Sequence, residues 1–289
     1  MPTVLCGFGS VGAGLSNDKR MAKYFKYRSH SDVLRDHPAF DWNAVIDPDP
    51  DARRIAREDW NIPIAVAHPD ELPNEFKPKV AVLATPPVTR EELLHSMPSV
   101  KAIVVEKPLG RTLKESYSFA KYCEQQGIVC QVNLFRRVER TYQDLLDGII
   151  EEHIGNAQAG TVIYGKGILN NGIHMIDLVR MLFGEIISVQ TLGLGKNVEL
   201  SGYVDVEVVA ALTLDSGAVI TMHPVDFSHY RDVLLDVWGT RGRLEIIQEG
   251  LILRRSPLKE HRSLEGVMEL AMDEPVTLAS YIGTSLYQV

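Results

Sequence analysis

Three glycines near the start of the chain have the spacing of a phosphate-binding turn. Gly7, Gly9 and Gly12 lie in the stretch VLCGFGSVGAGLSNDKR, which begins as an apolar run and ends in charged residues. Such a turn leaves main-chain amides unpaired, and the missing side chains let a pyrophosphate approach. Ser10 and Val11 belong to the same candidate cofactor site. An ordinary flexible turn is the alternative, because chance matches to G-x-G-x-x-G are common.

The position of this turn favours dinucleotide binding. It follows a strand-like run, Thr3 to Cys6, and residues 10–15 can begin a helix whose free amides point towards an anion. A second strand, residues 43–46, ends at Asp47, whose carboxylate would accept hydrogen bonds from the hydroxyls of an adenosine ribose. That carboxylate would repel the extra phosphate of NADP, so NAD is the expected cofactor and NADP is less favoured. Arg53 and Arg54 could partly offset the repulsion.

Asp47 lies further beyond Gly12 than the usual spacing of about 20 residues. A basic insertion, residues 17–36, accounts for the excess and carries Lys19, Arg20, Lys23, Lys26, Arg28 and His30. A solvated helix with a loop is one interpretation of this insertion. A basic lip that attracts a phosphorylated ligand is the other.

A lysine follows the fourth predicted strand, residues 102–105. Glu106, Lys107 and Pro108 come where a nicotinamide ring would be reached. The Lys107 ammonium could orient a substrate hydroxyl and, with a pKa lowered by burial, share its proton. Pro108 restricts the backbone of Lys107 and fixes its direction. A surface Lys-Pro turn is the alternative.

A histidine in the second half of the chain is the other candidate proton carrier. Asn170, His174 and Asp177 are spaced i, i+4 and i+7, so they share one side of a helix if it extends back to Asn170. A neutral imidazole can take a proton from an alcohol near pH 7. In the alternative interpretation, Asn170 or Asn171 caps the helix and His174 packs in the core. No metal site is predicted, because no second histidine or cysteine cluster lies nearby and asparagine is a poor ligand.

The elements that would position these residues alternate between strand and helix in the first half. Short apolar strands are predicted at residues 3–6, 43–46, 80–84, 102–105 and 128–132, and helices at 52–58, 91–97 and 113–126. This alternation predicts a doubly wound parallel sheet that binds ligands at the carboxyl ends of its strands. We expect a dinucleotide-binding Rossmann domain over residues 1–131.

The pattern changes after residue 131. Helices are predicted at residues 142–152 and 171–183, and strands at 204–214, 218–225, 233–238, 244–247 and 251–253. Turn residues at 215–217 and 240–242 predict hairpins between some of these strands. We therefore expect a second, α+β domain over residues 132–289, with a mostly antiparallel open sheet.

Composition restricts the class of partner. The chain has 289 residues and a net charge of −8, which argues against nucleic acid as the main partner. No apolar run reaches the roughly 18 residues of a membrane span, and the chain begins directly with strand-like residues. The cysteines, Cys6, Cys123 and Cys130, form no C-x-x-C pair, so free thiols are favoured over a disulfide. These features predict a cytoplasmic protein.

Six motifs occur together in a familiar order. They are GFGSVG near the start, ATPP at 84–87, EKP at 106–108, NLFRR at 133–137, GIHMIDLVRMLFGE at 172–185 and WGTRGRLEI at 238–246. No one of them is specific, but the ordered set resembles the glucose–fructose oxidoreductase, inositol dehydrogenase and rhizopine-catabolism family (Gfo/Idh/MocA) across nearly the whole chain.

The resemblance implies roles for individual residues. Lys107 matches the family's lysine at the nicotinamide, and His174 matches its catalytic histidine. Asn133 and Arg136 fall where the chain passes the active site, with Arg136 a candidate for binding substrate oxygens or, alternatively, part of a surface ion pair. Asn170 and Asp177 are further candidates for substrate binding. Thr85, Pro86 and Glu106 are expected to line the cofactor site.

The resemblance also implies an activity and an assembly. We expect an NAD-dependent oxidoreductase that moves a hydride between nicotinamide and a secondary hydroxyl of a sugar, nucleotide sugar or cyclitol. The family's open C-terminal sheet often forms an oligomer interface, which implies a homodimer or homotetramer. Asn170 stands where many relatives have an aspartate, and asparagine cannot hold the charge that stabilises an imidazolium. A non-catalytic NAD-binding regulator on the same fold is therefore the alternative function.

Overall fold

The computed structural model describes residues 1–200 and 203–289. They form two compact units, one comprising Met1–Phe135 with Gly283–Val289 and the other Arg136–Ile282. None of the helices in these two ranges combines the length and the apolar composition of a membrane span.

The first unit contains a fully parallel sheet. Its strands, among the described residues, are β1 (Pro2–Cys6), β2 (Asp41–Ile46), β3 (Ile64–Val66), β4 (Val80–Leu83), β5 (Ala102–Val105) and β6 (Val129–Val132). Their order is β3-β2-β1-β4-β5-β6. Since the chain winds outwards from β1 in one direction and from β4 in the other, the crevice between these two strands is where doubly wound sheets bind ligands. The predicted doubly wound sheet is confirmed, with β3 as an additional edge strand.

Apolar strand residues face both sides of this sheet, and helices cover both faces. The helices are α1 (His30–Asp36), α2 (Pro50–Glu58), α3 (Arg90–His95) and α4 (Leu113–Gln126). Ala81 and Leu83 of β4 pack in one core with Leu94 of α3, whereas Val82 packs in the other core with Leu34 of α1. The prediction for α4 is confirmed at both ends, with Thr112 as N-cap and left-handed Gly127 as C-cap.

The prediction that residues 10–15 begin a helix is wrong. The amides of Ala13 and Gly14 both donate to the Gly9 carbonyl, and the chain continues into a short 3₁₀ turn, Gly14–Asn17. The first α-helix begins only at His30, where the Ser29 side chain accepts a hydrogen bond from the Asp32 amide. The basic insertion, residues 17–36, therefore contains the last residue of this 3₁₀ turn, a second 3₁₀ turn (Met21–Lys23) and α1.

The second unit contains a larger mixed sheet. Its described strands are β7 (Ala157–Tyr164), β8 (Ile186–Thr191), β11 (Ala210–Leu214), β12 (Val219–Pro224), β13 (Leu234–Gly239), β14 (Gly242–Ile247), β15 (Ile252–Glu260), β16 (Met268–Leu270) and β17 (Val276–Leu278). Two further strands, β9 (Lys196–Leu200) and β10 (Tyr203–Glu207), pair with each other in a separate sheet. Only β7 and β12 pair in parallel among the described strands of the larger sheet. The mostly antiparallel sheet and the predicted hairpins at 215–217 and 240–242 are confirmed.

Strand prediction failed between residues 204 and 214. One continuous strand was expected, but β10 and β11 lie in different sheets. The buried Tyr164 hydroxyl donates to the Val208 carbonyl at 2.8 Å and accepts from the Val208 amide at 2.9 Å. Because one side chain satisfies both main-chain groups of Val208, no sheet ladder is needed there and the chain can change direction.

The helices of this unit are less regular than predicted. The segment expected at 142–152 is a short helix, α5 (Arg140–Asp144), followed by a π-helical stretch, Leu145–Ile154. Gly148, with φ of 137°, interrupts that stretch. The helix predicted at 171–183 is α6 (Ile173–Phe183), preceded by a π-helical turn over Ile168–Gly172.

Candidate active site

The glycine turn combines close packing with an open face. A Cβ on Gly7 would lie 2.5 Å from the Ala84 carbonyl oxygen, and one on Gly12 would overlap the Gly7 carbonyl oxygen. Gly7 also has a φ of +90°, which side chains rarely adopt. By contrast, apart from Gly9 and its two chain neighbours, no atom of the described residues lies within 4 Å of a Cβ placed on Gly9. Gly7 and Gly12 therefore allow the turn to form, and Gly9 leaves space beside it.

Asp47 lies next to this turn at the carboxyl end of β2. Its Oδ2 accepts the Phe8 amide at 2.6 Å and its Oδ1 accepts the Asp49 amide at 2.8 Å, and the residue is 8% exposed. These bonds orient the carboxylate and leave lone pairs on both oxygens. Arg53 donates to the main-chain carbonyls of Asp47 and Pro48, both at 2.8 Å.

The Lys107 loop is held through its neighbour Glu106. Oε1 of Glu106 accepts hydrogen bonds from His30 Nε2 at 2.8 Å and from Asn133 Nδ2 at 2.6 Å. Burial raises the pKa of the Glu106 carboxyl, but the bonds from His30 and Asn133, with the Lys107 charge, outweigh burial and keep the pKa below its usual value. Glu106 is therefore ionised at neutral pH. The Lys107–Pro108 peptide is cis, and Lys107 is half-buried.

A buried arginine that sequence reasoning missed joins the two loops on this edge. Arg90 is 1% exposed, and its guanidinium donates to the carbonyl oxygens of Thr85 (2.8 and 3.1 Å), Pro108 (2.7 Å) and Leu109 (3.2 Å). Burial lowers the pKa of Arg90 to about 10, so the group is charged at neutral pH. The carbonyls connect the ATPP segment, where Pro86 is exposed, to the loop that carries Lys107. No sequence signal marked Arg90, because an arginine beginning a helix is ordinarily solvated.

In the second unit, a buried carboxylate organises the segment before His174. Asp205 is 4% exposed and accepts the main-chain amides of Leu169 at 3.2 Å, Asn170 at 2.9 Å and Val206 at 2.8 Å. Asn170 is thus held by its backbone in the π-helical turn, and the half-buried His174 follows in the first turn of α6. No sequence signal marked Asp205, because the alternation in YVDVEVV places it with Glu207 on the polar face of the strand.

Asp177 and Arg136 have protein partners within the second unit. Arg137 contacts both carboxylate oxygens of Asp177, with Nε–O distances of 2.8 and 3.0 Å, and Asp177 is 7% exposed. Arg136 is 6% exposed and donates to the Glu249 carbonyl at 2.9 Å. The surface ion pair considered for Arg136 is wrong, because the side chain is buried. Arg137, which the sequence analysis did not select, is the residue that pairs with a candidate site carboxylate.

Two family models match the sequence of this chain. Residues 6–134 match the sequence model of an oxidoreductase family with an NAD-binding Rossmann fold, GFO_IDH_MocA. Residues 155–245 match the GFO/IDH/MocA C-terminal domain. Residues 6–134 therefore form the NAD-binding Rossmann domain of this family, as the order of the six motifs predicted.

Two curated relatives match part of this chain. Scyllo-inositol 2-dehydrogenase (NAD(+)) of Bacillus subtilis (strain 168) is 27% identical over 219 residues, which are 68% of this chain and 61% of that protein. The 1,5-anhydro-D-fructose reductase of Ensifer adhaerens is 23% identical over 189 residues, which are 57% of this chain and 55% of that protein. The matched region thus spans less than two thirds of the length of either relative.

Solved structures share the fold along most of the chain. Levoglucosan dehydrogenase, in its complex with NADH and levoglucosan, has a TM-score of 0.70 and 19% identity, covering 99% of this chain and 87% of that one. At this identity the likeness concerns the fold. With both domains matched in order, the chain belongs to the GFO/IDH/MocA family of oxidoreductases.

Proposed function

We propose that this protein is an NAD-dependent oxidoreductase that acts on a secondary hydroxyl of a sugar, nucleotide sugar or cyclitol. The observation that carries the proposal is the set of loops at one edge of the parallel sheet. The glycine turn follows β1, Asp47 follows β2, Thr85 follows β4 and Glu106–Lys107 follows β5. Family membership and the activities named for the two curated relatives support the same reaction class.

The residues at this edge fit a dinucleotide. The open face at Gly9 leaves room for a pyrophosphate against the main chain, and the Asp47 carboxylate has the lone pairs to accept ribose hydroxyls. NAD, when bound, supplies the hydride acceptor or donor. NADP is less favoured, because the Asp47 carboxylate would repel its extra phosphate and Arg54 is already paired with Glu58 at 3.0 Å. Arg53 donates to the neutral carbonyls of Asp47 and Pro48, so it keeps its charge and offsets only part of this repulsion.

Lys107 and His174 are the proposed catalytic residues. When a secondary alcohol becomes a ketone, its hydroxyl proton must leave as the carbon–oxygen double bond forms. The neutral imidazole of His174 can accept this proton, and the Lys107 ammonium can donate a hydrogen bond to the same oxygen. Asn133, Arg136, Asn170 and Asp177 stay proposed substrate-site residues. For Arg136 and Asp177, the protein contacts described above favour a role in fixing the site over direct capture of substrate.

The test is turnover by purified protein with NAD and a panel of sugars, nucleotide sugars and cyclitols, followed by the absorbance of NADH. Lys107→Ala should abolish turnover and leave the Kd for NADH within about threefold. His174→Ala should lose roughly 10²–10⁴-fold in kcat, the usual contribution of a general acid or base. Lys101→Ala is the matched control, because Lys101 is an exposed lysine just before the opposite end of β5.

Two outcomes would contradict the proposal. Full activity in Lys107→Ala would remove that residue from the reaction. Tight NADH binding with no turnover on the whole panel would favour the alternative function, a non-catalytic NAD-binding regulator.

The proposal includes a homodimer or homotetramer formed through the C-terminal sheet. One sheet face packs against α6, whereas the other carries partly exposed residues on neighbouring strands, including Thr161, Thr221 and Trp238. Trp238, 36% exposed, lies under the Arg243 guanidinium at 4.8 Å from its ring centre. Sedimentation equilibrium of wild type and Trp238→Asp would test this interface, and a wild-type monomer would contradict it.

A further inference from the structure

His30 connects two loops of the proposed cofactor site. Its main-chain amide donates to the Val11 carbonyl in the glycine turn at 3.1 Å. Its side chain reaches Glu106 Oε1 at 2.8 Å, next to Lys107. The imidazole is buried, with 5% of the side chain exposed, and the Glu106 side chain is 13% exposed. One residue at the start of α1 therefore contacts the loops that follow β1 and β5.

The start of α1 is held firmly enough to serve as a fixed support. The amide of Ser31 donates to the Gly12 carbonyl at 2.9 Å, and the Ser31 hydroxyl donates to the same oxygen at 2.7 Å. Ser29 caps the helix through Asp32, and both residues are buried. The position of the His30 ring consequently follows from the glycine turn rather than from the exposed part of the insertion.

The direction of the His30–Glu106 hydrogen bond follows from charge. An ionised carboxylate has no hydrogen to donate, so the Nε2 atom of His30 must carry the hydrogen in this contact. Asn133 donates to the same Oε1 from the end of β6. The titratable groups that face Glu106 are His30 from α1, Lys107 on its own loop and Arg90 from α3. Two donors on a single oxygen fix the rotation of the carboxyl group.

We propose that His30 is a positioning residue that holds Glu106, and through it the Lys107 loop, in register with the glycine turn. This inference rests on the proposed function, because it assigns His30 to the reaction at Lys107. It also gives a role to the last part of the basic insertion, which brings a hydrogen-bond donor into the cofactor site. The exposed lysines of the insertion are not needed for this role.

Two amide substitutions at His30 differ only in whether the side-chain nitrogen can reach Glu106. In His30→Gln, the amide nitrogen can reach the place of Nε2 and still donate to Glu106. In His30→Asn, the amide nitrogen stops near the place of Nδ1 and cannot reach it. Both keep the main-chain bond to Val11, and both are uncharged and polar. Exposed Lys23→Gln, in the same insertion, is the control for surface charge.

Steady-state kinetics and NADH binding give the first comparison. We expect His30→Asn to lower kcat by about 10–100-fold, as for a reacting group displaced by on the order of 1 Å, with the Kd for NADH within about threefold. His30→Gln should keep kcat within about threefold of wild type. Equal kcat values for the Gln and Asn variants, or wild-type kcat in His30→Asn, would overturn the role of His30.

A titration of Glu106 by carbon-detected NMR gives the second comparison and needs no substrate. Loss of the donor in His30→Asn should raise the pKa of the Glu106 carboxyl, whereas His30→Gln should leave it near the wild-type value. An unchanged Glu106 titration in folded His30→Asn would overturn the inference. If His30→Asn does not fold, a His30→Gln variant with a raised Glu106 pKa would do the same. Absence of turnover in wild type would instead contradict the proposed function.

Discussion

Replacement of Arg90 by methionine tests how the two loops beside the proposed nicotinamide site are held. Methionine keeps most of the apolar stem but has no hydrogen-bond donor. The carbonyls of Thr85, Pro108 and Leu109 would lose the guanidinium to which they are bonded. Because Arg90 is 1% exposed, water cannot replace those bonds without opening the structure. Arg90→Met should therefore destabilise the first unit and loosen the Lys107 loop.

The size of the effect can be estimated from the contacts. Three carbonyls bonded to a charged donor contribute about 6 kcal/mol, at about 2 kcal/mol each. The burial cost that lowers the pKa of Arg90 to about 10 offsets about 3 kcal/mol of this. The net loss should be about 3 kcal/mol in the free energy of unfolding. For a domain of this size, the melting temperature should fall by roughly 10 °C.

The assay is urea unfolding followed by circular dichroism, with NADH affinity measured on the folded protein. Arg54→Met is the matched control, because Arg54 is half exposed and its ion pairs with Asp51 and Glu58 lie on the surface. That variant should change the free energy of unfolding by less than about 1 kcal/mol. If Arg90→Met is as stable as Arg54→Met and binds NADH with wild-type affinity, the argument that Arg90 joins the two loops is refuted.

Two further predictions concern the glycine turn and acid stability. Gly12→Ala should lower the free energy of unfolding by about 1–3 kcal/mol, because its Cβ would overlap the Gly7 carbonyl oxygen. Gly9→Ala should leave stability unchanged and weaken NADH binding by filling the open face. Urea unfolding would measure the stability of both variants, and fluorescence titration would measure their NADH affinity. The pKa of Glu106 is below 4.5 in the folded protein, so the unfolded chain binds the proton first as the pH falls. The stability that wild type gains from ionised Glu106 should be present above about pH 4.5 and lost below it, relative to Glu106→Gln. A constant difference between these two proteins from pH 6 to pH 3 would contradict this.

Local sequence signals predicted the parallel sheet well because each signal depends on neighbours in the chain. Short apolar runs that end in polar residues marked β4 and β5 within one residue of their bounds. Helical spacing marked residues 113–126 and Gly127 marked the end of α4, since a cap acts within one turn of the helix. The residues that follow the strands, from the glycine turn to Lys107, could therefore be placed at one edge.

Secondary-structure prediction failed where a segment forms hydrogen bonds with residues far away in the sequence. Residues 204–214 have the pattern of one strand, but the Tyr164 hydroxyl, 44 positions away from Val208, divides them. Residues 10–15 were predicted to begin a helix, but the glycine turn contacts the start of α1 at His30 and Ser31 instead. Neither contact can be inferred from periodicity, because periodicity reports only which faces of an element are buried.

The amino-acid sequence by itself determined the fold class, the family and the order of the loops that carry glycine, aspartate and lysine. Only the tertiary structure decided what holds those loops in place. Glu106 accepts from His30, 76 positions away, and Asp177 pairs with Arg137, 40 positions away. The physical reason is that a hydrogen bond requires a donor and an acceptor about 3 Å apart. Which distant residues meet at that distance depends on the path of the folded chain.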